Sequence, residues 1–143
     1  MASTKHTRRI HIDAAAEDVF YYVEDPAHFV AAMPADHHAS VGAVNRSAEG
    51  VVTTYEILYL ELGRHRTTVV TRGECVANER IVDRASAGPV HMLTLQPDAT
   101  GTTLTYAWDA PNLLKMLDVL FGHSDKDAEN ALATFKREVE ALR

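Results

Sequence analysis

Residues 101–143 read GTTLTYAWDAPNLLKMLDVLFGHSDKDAENALATFKREVEALR, and the change of rhythm inside them decides the fold. Leu104, Tyr106 and Trp108 fall on one face of residues 102–109, and Thr103, Thr105 and Ala107 on the other, as in a half-buried strand. After Asp109 the period turns helical. Residues 112–121 are apolar and helix-prone, Gly122 is a stop or kink, and Ser124 caps a restart. Asp125 and Asp127 then sit in the first turn, where the helix dipole favours acids. Ala128, Leu132, Phe135, Val139 and Leu142 recur at helical spacing as one apolar stripe. Lys126, Lys136, Arg137, Glu138 and Glu140 lie off it. A long amphipathic helix must rest on an apolar surface, and a sheet is the only large one on offer.

That sheet lies upstream. From Ala39 to Asp109 the pattern has period two, punctuated by Gly50, Gly63, Ala77-Asn78, Gly88-Pro89 and Asp98–Gly101. The runs between them (40–48, 51–62, 64–76, 80–87, 90–97 and 102–109) are rich in Val, Ile, Thr and Tyr. Strands joined so tightly are antiparallel, because a parallel pair needs a long crossover. Residues 5–12 end in Ile10-His11-Ile12 and add an earlier strand. Asp13 is the expected N-cap of a short helix over 14–23, with Val19, Phe20 and Val23 on one face. Asp25-Pro26 repeats the signal for a second short helix carrying Phe29 and Val30 and ending before Pro34.

Composition narrows the function classes. The 143 residues are 46% hydrophobic and 24% charged, the balance of a globular chain of one domain. A single cysteine, Cys75, forms no internal disulfide, so a reducing compartment is expected, and we read the chain as cytoplasmic. The N-terminus lacks the apolar core of a signal peptide, and no run approaches the roughly 18 apolar residues of a membrane helix. A net charge of −6 argues against a general nucleic-acid binder. The charge is uneven: nine acids against one arginine from Asp13 to Glu61, then five arginines against three acids from Arg64 to Arg84. Such polarity orients a partner or is simply a solvated surface.

One strand, two short helices, six strands and a long helix resemble the helix-grip fold of the START/Bet v-like (SRPBCC) superfamily, in particular its polyketide cyclase/dehydrase-like group. The resemblance spans nearly the whole chain. It rests on Ile12-Asp-Ala-Ala-Ala-Glu-Asp-Val-Phe20, with Ala where the family's proline is common, and on Asp25-Pro26-Ala-His-Phe29 and Met33-Pro34. It continues through Cys75-Val-Ala-Asn-Glu-Arg80, Gly88-Pro89, Pro97-Asp-Ala-Thr-Gly101 and Leu132-Ala-Thr-Phe-Lys136. It implies an α+β fold: a seven-stranded curved antiparallel sheet around a long C-terminal helix, enclosing a cavity. Fold alone does not name an activity.

Strand parity then selects the cavity wall. The aromatic face of the last strand, Tyr106 and Trp108, should point inward, as should His91 and Leu93. Counting back from Cys75 as a core position puts His65, Thr67, Val69 and Thr71 on the same face. On 51–62 the face of Tyr55, Ile57 and Tyr59 is chosen, opposite Glu56. Phe29, Met33, Met116 and Leu120 complete the ligand-binding set from the helices, and the Gly122 kink is a candidate gate. His65 and His91 are the candidate catalytic bases, with Asp83 or Glu61 as orienting groups. The eight histidines show no metal-binding spacing, and neither a metal nor another cofactor is expected. Three functions follow: a small-molecule-binding protein acting as a polyketide cyclase/dehydratase, a non-catalytic lipid or isoprenoid carrier, or a protein acting through its surface. The expected partner is a small hydrophobic ligand, with no nucleic acid and no integral membrane association. A homodimer is left open.

Overall fold

The computed structural model describes residues 3–33, 35, 38–86, 90–111 and 125–142. In chain order the elements are β1 (Ser3–Ile12), α1 (Ala16–Val23), α2 (Pro26–Ala31), β2 (Ser40–Arg46) and β3 (Val52–Glu61). They continue as β4 (Arg64–Val76), β5 (Arg80–Ala85), β6 (Val90–Asp98), β7 (Gly101–Pro111) and α3 (Asp125–Ala141). Among the described residues the strands form one antiparallel sheet in the order β1-β7-β6-β5-β4-β3-β2. The six later strands form a meander, and β1 comes back beside β7. This is the expected α+β helix-grip architecture, with β1 and β2 as the two edges.

Helix α3 lies on the concave face. Ala128, Leu132, Phe135 and Val139 are buried there beside Ile12, Ile81, Leu93, Leu95 and Leu104, with Val19, Tyr22 and Val23 of α1 closing the same core. A ring buried as fully as Phe135 is worth about 3–5 kcal/mol when truncated to Ala. Leu142 does not continue the stripe. It lies one residue past the helix, where its N–H bonds Val139 O at 3.1 Å and turns the chain off the face, leaving it exposed. A second cluster, Val30, Val52, Tyr55, Ile57 and Val70, lies under α2 on the β3–β4 side.

The end of the sheet at the β6–β7 turn is tied down. Gly101 has φ +151°, and a Cβ there would stand 2.2 Å from Ile12 O, so the approach of this turn to β1 admits only glycine. Buried Thr102 donates its hydroxyl to Ala14 O at 2.8 Å. Lys136 Nζ donates to His11 O at 3.0 Å, and Glu140 Oε2 accepts from Asp13 N–H at 2.9 Å. Asp13 is not the cap of α1, and its carboxylate lies 3.7 Å from His11 Nδ1 instead. The helix starts later than expected, with Ala15 at the N-cap and no side-chain cap bond. Asp25, by contrast, caps α2 as expected, accepting from Ala27 N–H at 3.0 Å ahead of Pro26.

Two irregularities shape the sheet. Edge strand β2 is bulged between Val41 and Val44 and again between Asn45 and Arg46. At the first bulge Gly42 leaves space for Glu56, whose Oε1 would lie 2.8 Å from a Cβ and instead accepts Ala43 N–H at 3.0 Å. In β4 the pairing steps from Arg72↔Asp83 to Glu74↔Val82, so Gly73 is an extra residue opposite none. That bulge reverses the parity of everything before it. Cys75, opposite buried Ile81, faces the concave side as expected. Thr68, Val70 and Arg72 face inward with it, while His65, Thr67, Val69 and Thr71 face outward and are exposed, contrary to expectation.

Candidate functional site

Four rings line up across the concave face. His6 on β1 is in register with Trp108 on β7, and their rings stack at 4.9 Å and 11°. Trp108 stacks on Tyr106, two residues along the same strand, at 5.2 Å. Tyr106 stacks on His91 of β6 at 5.8 Å and 5°. Phe29 of α2 meets both His91 and Tyr106 edge-on, at 5.9 and 6.2 Å. These are the offset and edge geometries that aromatic quadrupoles favour. Strand alternation produces the row: period two puts Tyr106 and Trp108 on one face, and the antiparallel register brings His91 and His6 beside them.

The row carries one short polar contact. His91 Nδ1 and the Tyr106 hydroxyl lie 2.5 Å apart, with the proton's position set by the imidazole tautomer. Both residues line a small cavity of about 10 Å³, room for one water molecule. Val23, Phe29, Ile81 and Leu93 supply its apolar wall, and Arg72 and Asp83 its charged floor.

That floor is a buried ion pair with good geometry. Arg72 Nε donates to Asp83 Oδ1 at 2.9 Å and Nη2 to Oδ2 at 3.1 Å. Arg72 Nη1 donates to Glu24 O at 2.9 Å, joining the end of α1 to the sheet. Tyr55 donates its hydroxyl to Asp83 Oδ2 at 2.9 Å. The arginine side chain is 3% exposed, so each charge depends on the other. Burial works against the guanidinium charge, and the hydrogen bonds and charge of Asp83 outweigh it, so the Arg72 pKa is raised. Burial, reinforced by the Asp83 charge and hydrogen bond, drives the Tyr55 pKa far up and keeps that phenol protonated. Burial likewise raises the Cys75 thiol, which disfavours its thiolate.

Of the residues expected at the site, the fold brings Phe29, His91, Leu93, Tyr106 and Trp108 together. Tyr55 joins them through Asp83, while Ile57, Tyr59 and Met33 belong to the second cluster under α2. His65, Thr67, Val69 and Thr71 lie on the convex face, where the Gly73 bulge puts them. His65 therefore cannot serve the chamber as a base. Met116, Leu120 and the Gly122 kink fall outside the described residues. Asp83 was expected only as an orienting group for a histidine; its two oxygens instead hold Arg72 and Tyr55. Arg72 and His6 were missed altogether. The signal for Arg72 was Gly73 itself, a glycine inside a strand pattern, which marks a bulge and hence a change of face. Among the described residues, no group of three or more His, Cys, Asp or Glu is placed to hold a metal ion. No described helix is long and apolar enough to cross a membrane.

Known structures share this architecture. The di-domain ARO/CYC StfQ from the steffimycin biosynthetic pathway superposes with a TM-score of 0.75 at 14% identity, covering 98% of this chain and 51% of that one. The chain thus spans about half the length of StfQ. A START superfamily protein from Mycobacterium smegmatis gives 0.72 at 14% identity, covering 97% and 99% of the two chains. An AHSA1-like protein from Aeromonas hydrophila gives 0.69 at 19%, covering 97% and 94%. No protein-family model matches the sequence, and no curated protein does. The fold is the helix-grip fold common to START and polyketide cyclase-like proteins.

Proposed function

We propose that this protein binds a small, flat hydrophobic or aromatic molecule between the sheet and α3. The ligand's ring lies along Trp108 and Tyr106, and its polar group meets the His91–Tyr106 pair. The observation that carries this reading is the stacked row ending in a 2.5 Å histidine–phenol contact at the cavity wall. Apolar walls with a few placed polar groups are what small-molecule sites look like, and a cavity that now has room for one water has to widen to admit a ring. A carrier of lipid or isoprenoid needs only the walls. A titratable pair within the wall favours a ligand whose hydroxyl or carbonyl exchanges protons, as in a polyketide cyclase or dehydratase. There, His91 would give or take the proton, and catalysis would come mostly from holding the chain in a reactive fold. The likeness of fold to an ARO/CYC protein supports this at the level of fold alone.

Trp108 is the only tryptophan and reports on the site directly. Titration with flat hydroxyaromatics should change its emission, with micromolar affinity, about −8 kcal/mol. Tyr106→Ala should weaken binding about tenfold or more, the worth of an aromatic contact and its area. Trp108→Phe should retain the calorimetric heat and lose the optical signal. Fatty acids binding more tightly than aromatics would favour the carrier. A panel of both classes that leaves emission and heat unchanged would overturn the proposal.

A further inference from the structure

We infer that the tip of the β3–β4 hairpin is a docking point for an anionic lipid surface. Leu62 and Gly63 form its two-residue turn, and both have left-handed backbone, φ 52° and 76°. Turns of this kind take Asn-Gly, Asp-Gly or Gly-Gly, because at positive φ a Cβ crowds the following carbonyl, a cost that glycine lacks and that Asn and Asp offset with local side-chain hydrogen bonds. A leucine is out of place there on backbone grounds. It is also out of place on solvation grounds, being 80% exposed. The chain therefore keeps a strained, water-facing apolar side chain at the outermost point of a hairpin, where it packs into no core. Two unfavourable features at one residue point to a use outside the fold.

The neighbouring residues indicate what that use is. Arg64, His65 and Arg66 follow the turn and are all exposed, and Glu61 is engaged with Arg66 at 3.7 Å. Below the tip, on the convex face, Leu58 and Val69 are 40% and 41% exposed. An apolar point backed by cations matches the boundary of an anionic bilayer, with the leucine at acyl depth and the arginines at the phosphates. The chain as a whole carries −6, so an anionic surface repels most of it, and the excess of Arg64 and Arg66 over Glu61 makes the tip the part it tolerates. A protein partner fits less well: an interface of about 800 Å² per side needs a shaped apolar core, whereas a bilayer accepts a single protruding side chain. The tip lies at the same end of the sheet as Trp108, which pairs with His6 near the start of β1, so docking would bring that end of the sheet to the lipid.

The test is co-sedimentation of the full chain with vesicles of phosphatidylcholine alone or mixed equally with phosphatidylglycerol. Binding is expected to the mixed vesicles only, and to fall steeply with salt. Leu62→Asn should lower it about tenfold, as should Arg64→Gln with Arg66→Gln. Asparagine suits the left-handed turn, so Leu62→Asn should melt at or above the wild-type temperature and leave the Trp108 titration unchanged. Equal binding to neutral vesicles, or none to either, would overturn the inference. A lowered melting temperature in Leu62→Asn with vesicle binding intact would also overturn it, by giving Leu62 a structural role. Failure here leaves the ligand-binding proposal standing, because the two readouts share no residue.

Discussion

At the β6–β7 end of the molecule, Gly101 packs on Ile12 O, Thr102 bonds Ala14 O, and Lys136 and Glu140 of α3 hold the backbone of His11 and Asp13. At the opposite end a strained leucine stands in water and a row of rings runs toward the start of β1. The same sheet serves both ends, yet polar bonds close one, while at the other Leu62 and the arginines after it are left in water. Substitutions at the tied end should cost stability and spare recognition, and substitutions at the other end should do the reverse. The proposed ligand and lipid contacts thus fall where the scaffold is held from elsewhere.

The Arg72–Asp83 pair, between the two ends, is where this division should fail. Asp83→Ala leaves a buried guanidinium without its carboxylate and Tyr55 without its acceptor, and should cost about 3–5 kcal/mol in denaturant unfolding. Because the pair floors the cavity, ligand affinity should fall with it. Replacing both charges, Arg72→Met with Asp83→Leu, should recover much of the stability, since the desolvation of both groups is removed together. An Asp83→Ala protein as stable as wild type would mean that the pair is not buried as described.

Gly101→Ala probes the tied end alone. The added methyl meets backbone oxygen at 2.2 Å and a φ of +151°, so β1 and the turn must separate. The expected loss is about 2–4 kcal/mol with the Trp108 titration unchanged in the folded fraction. An equal loss of ligand affinity would show that the two ends are coupled.

The smallest effect belongs to Asp98, which opens the β6–β7 turn. Its carboxylate accepts the Thr100 N–H and hydroxyl at 2.8 and 2.9 Å and lies 3.5 Å from His11 Nε2. These bonds, the backbone one foremost, hold its pKa below the ordinary carboxylate value. A carboxylate so depressed adds stability above the ordinary carboxylate pKa and loses it as pH falls through the lower folded value. Asp98→Ala should therefore melt slightly lower than wild type near neutral pH, and the two curves should converge in acid. A gap that widens as pH falls would contradict the assignment.

What the sequence reveals and conceals follows from regularity. On β7 nothing interrupts the alternation, so the inward face of Leu104, Tyr106 and Trp108 was legible. His91 and Leu93 followed from the same rule. On β4 one inserted residue exchanged the faces, and the count back from Cys75 carried four side chains to the wrong side. The ion pair was hidden for a further reason: an arginine in a strand reads as solvent-facing unless its carboxylate partner is known to lie opposite, and that is a fact of register. Asp13 looks like the cap of α1 locally, yet the Ala14 N–H turns back onto Ile12 O and the helix begins only after Ala15, a delay that no residue type announces. Asp25 is legible because Pro26 beside it fixes the first helical position.

The bulges of β2 have a consequence for the protein in a crowded solution. An open sheet ends in a strand whose unpaired amides and carbonyls can template another chain. Here that border is broken twice, and at the first break the Glu56 carboxylate has taken the Ala43 N–H and set a negative charge beside it. A straight foreign strand would find neither an even ladder nor a neutral one along this margin. Gly42, by making room for that carboxylate, helps make this margin a poor template for a neighbouring copy.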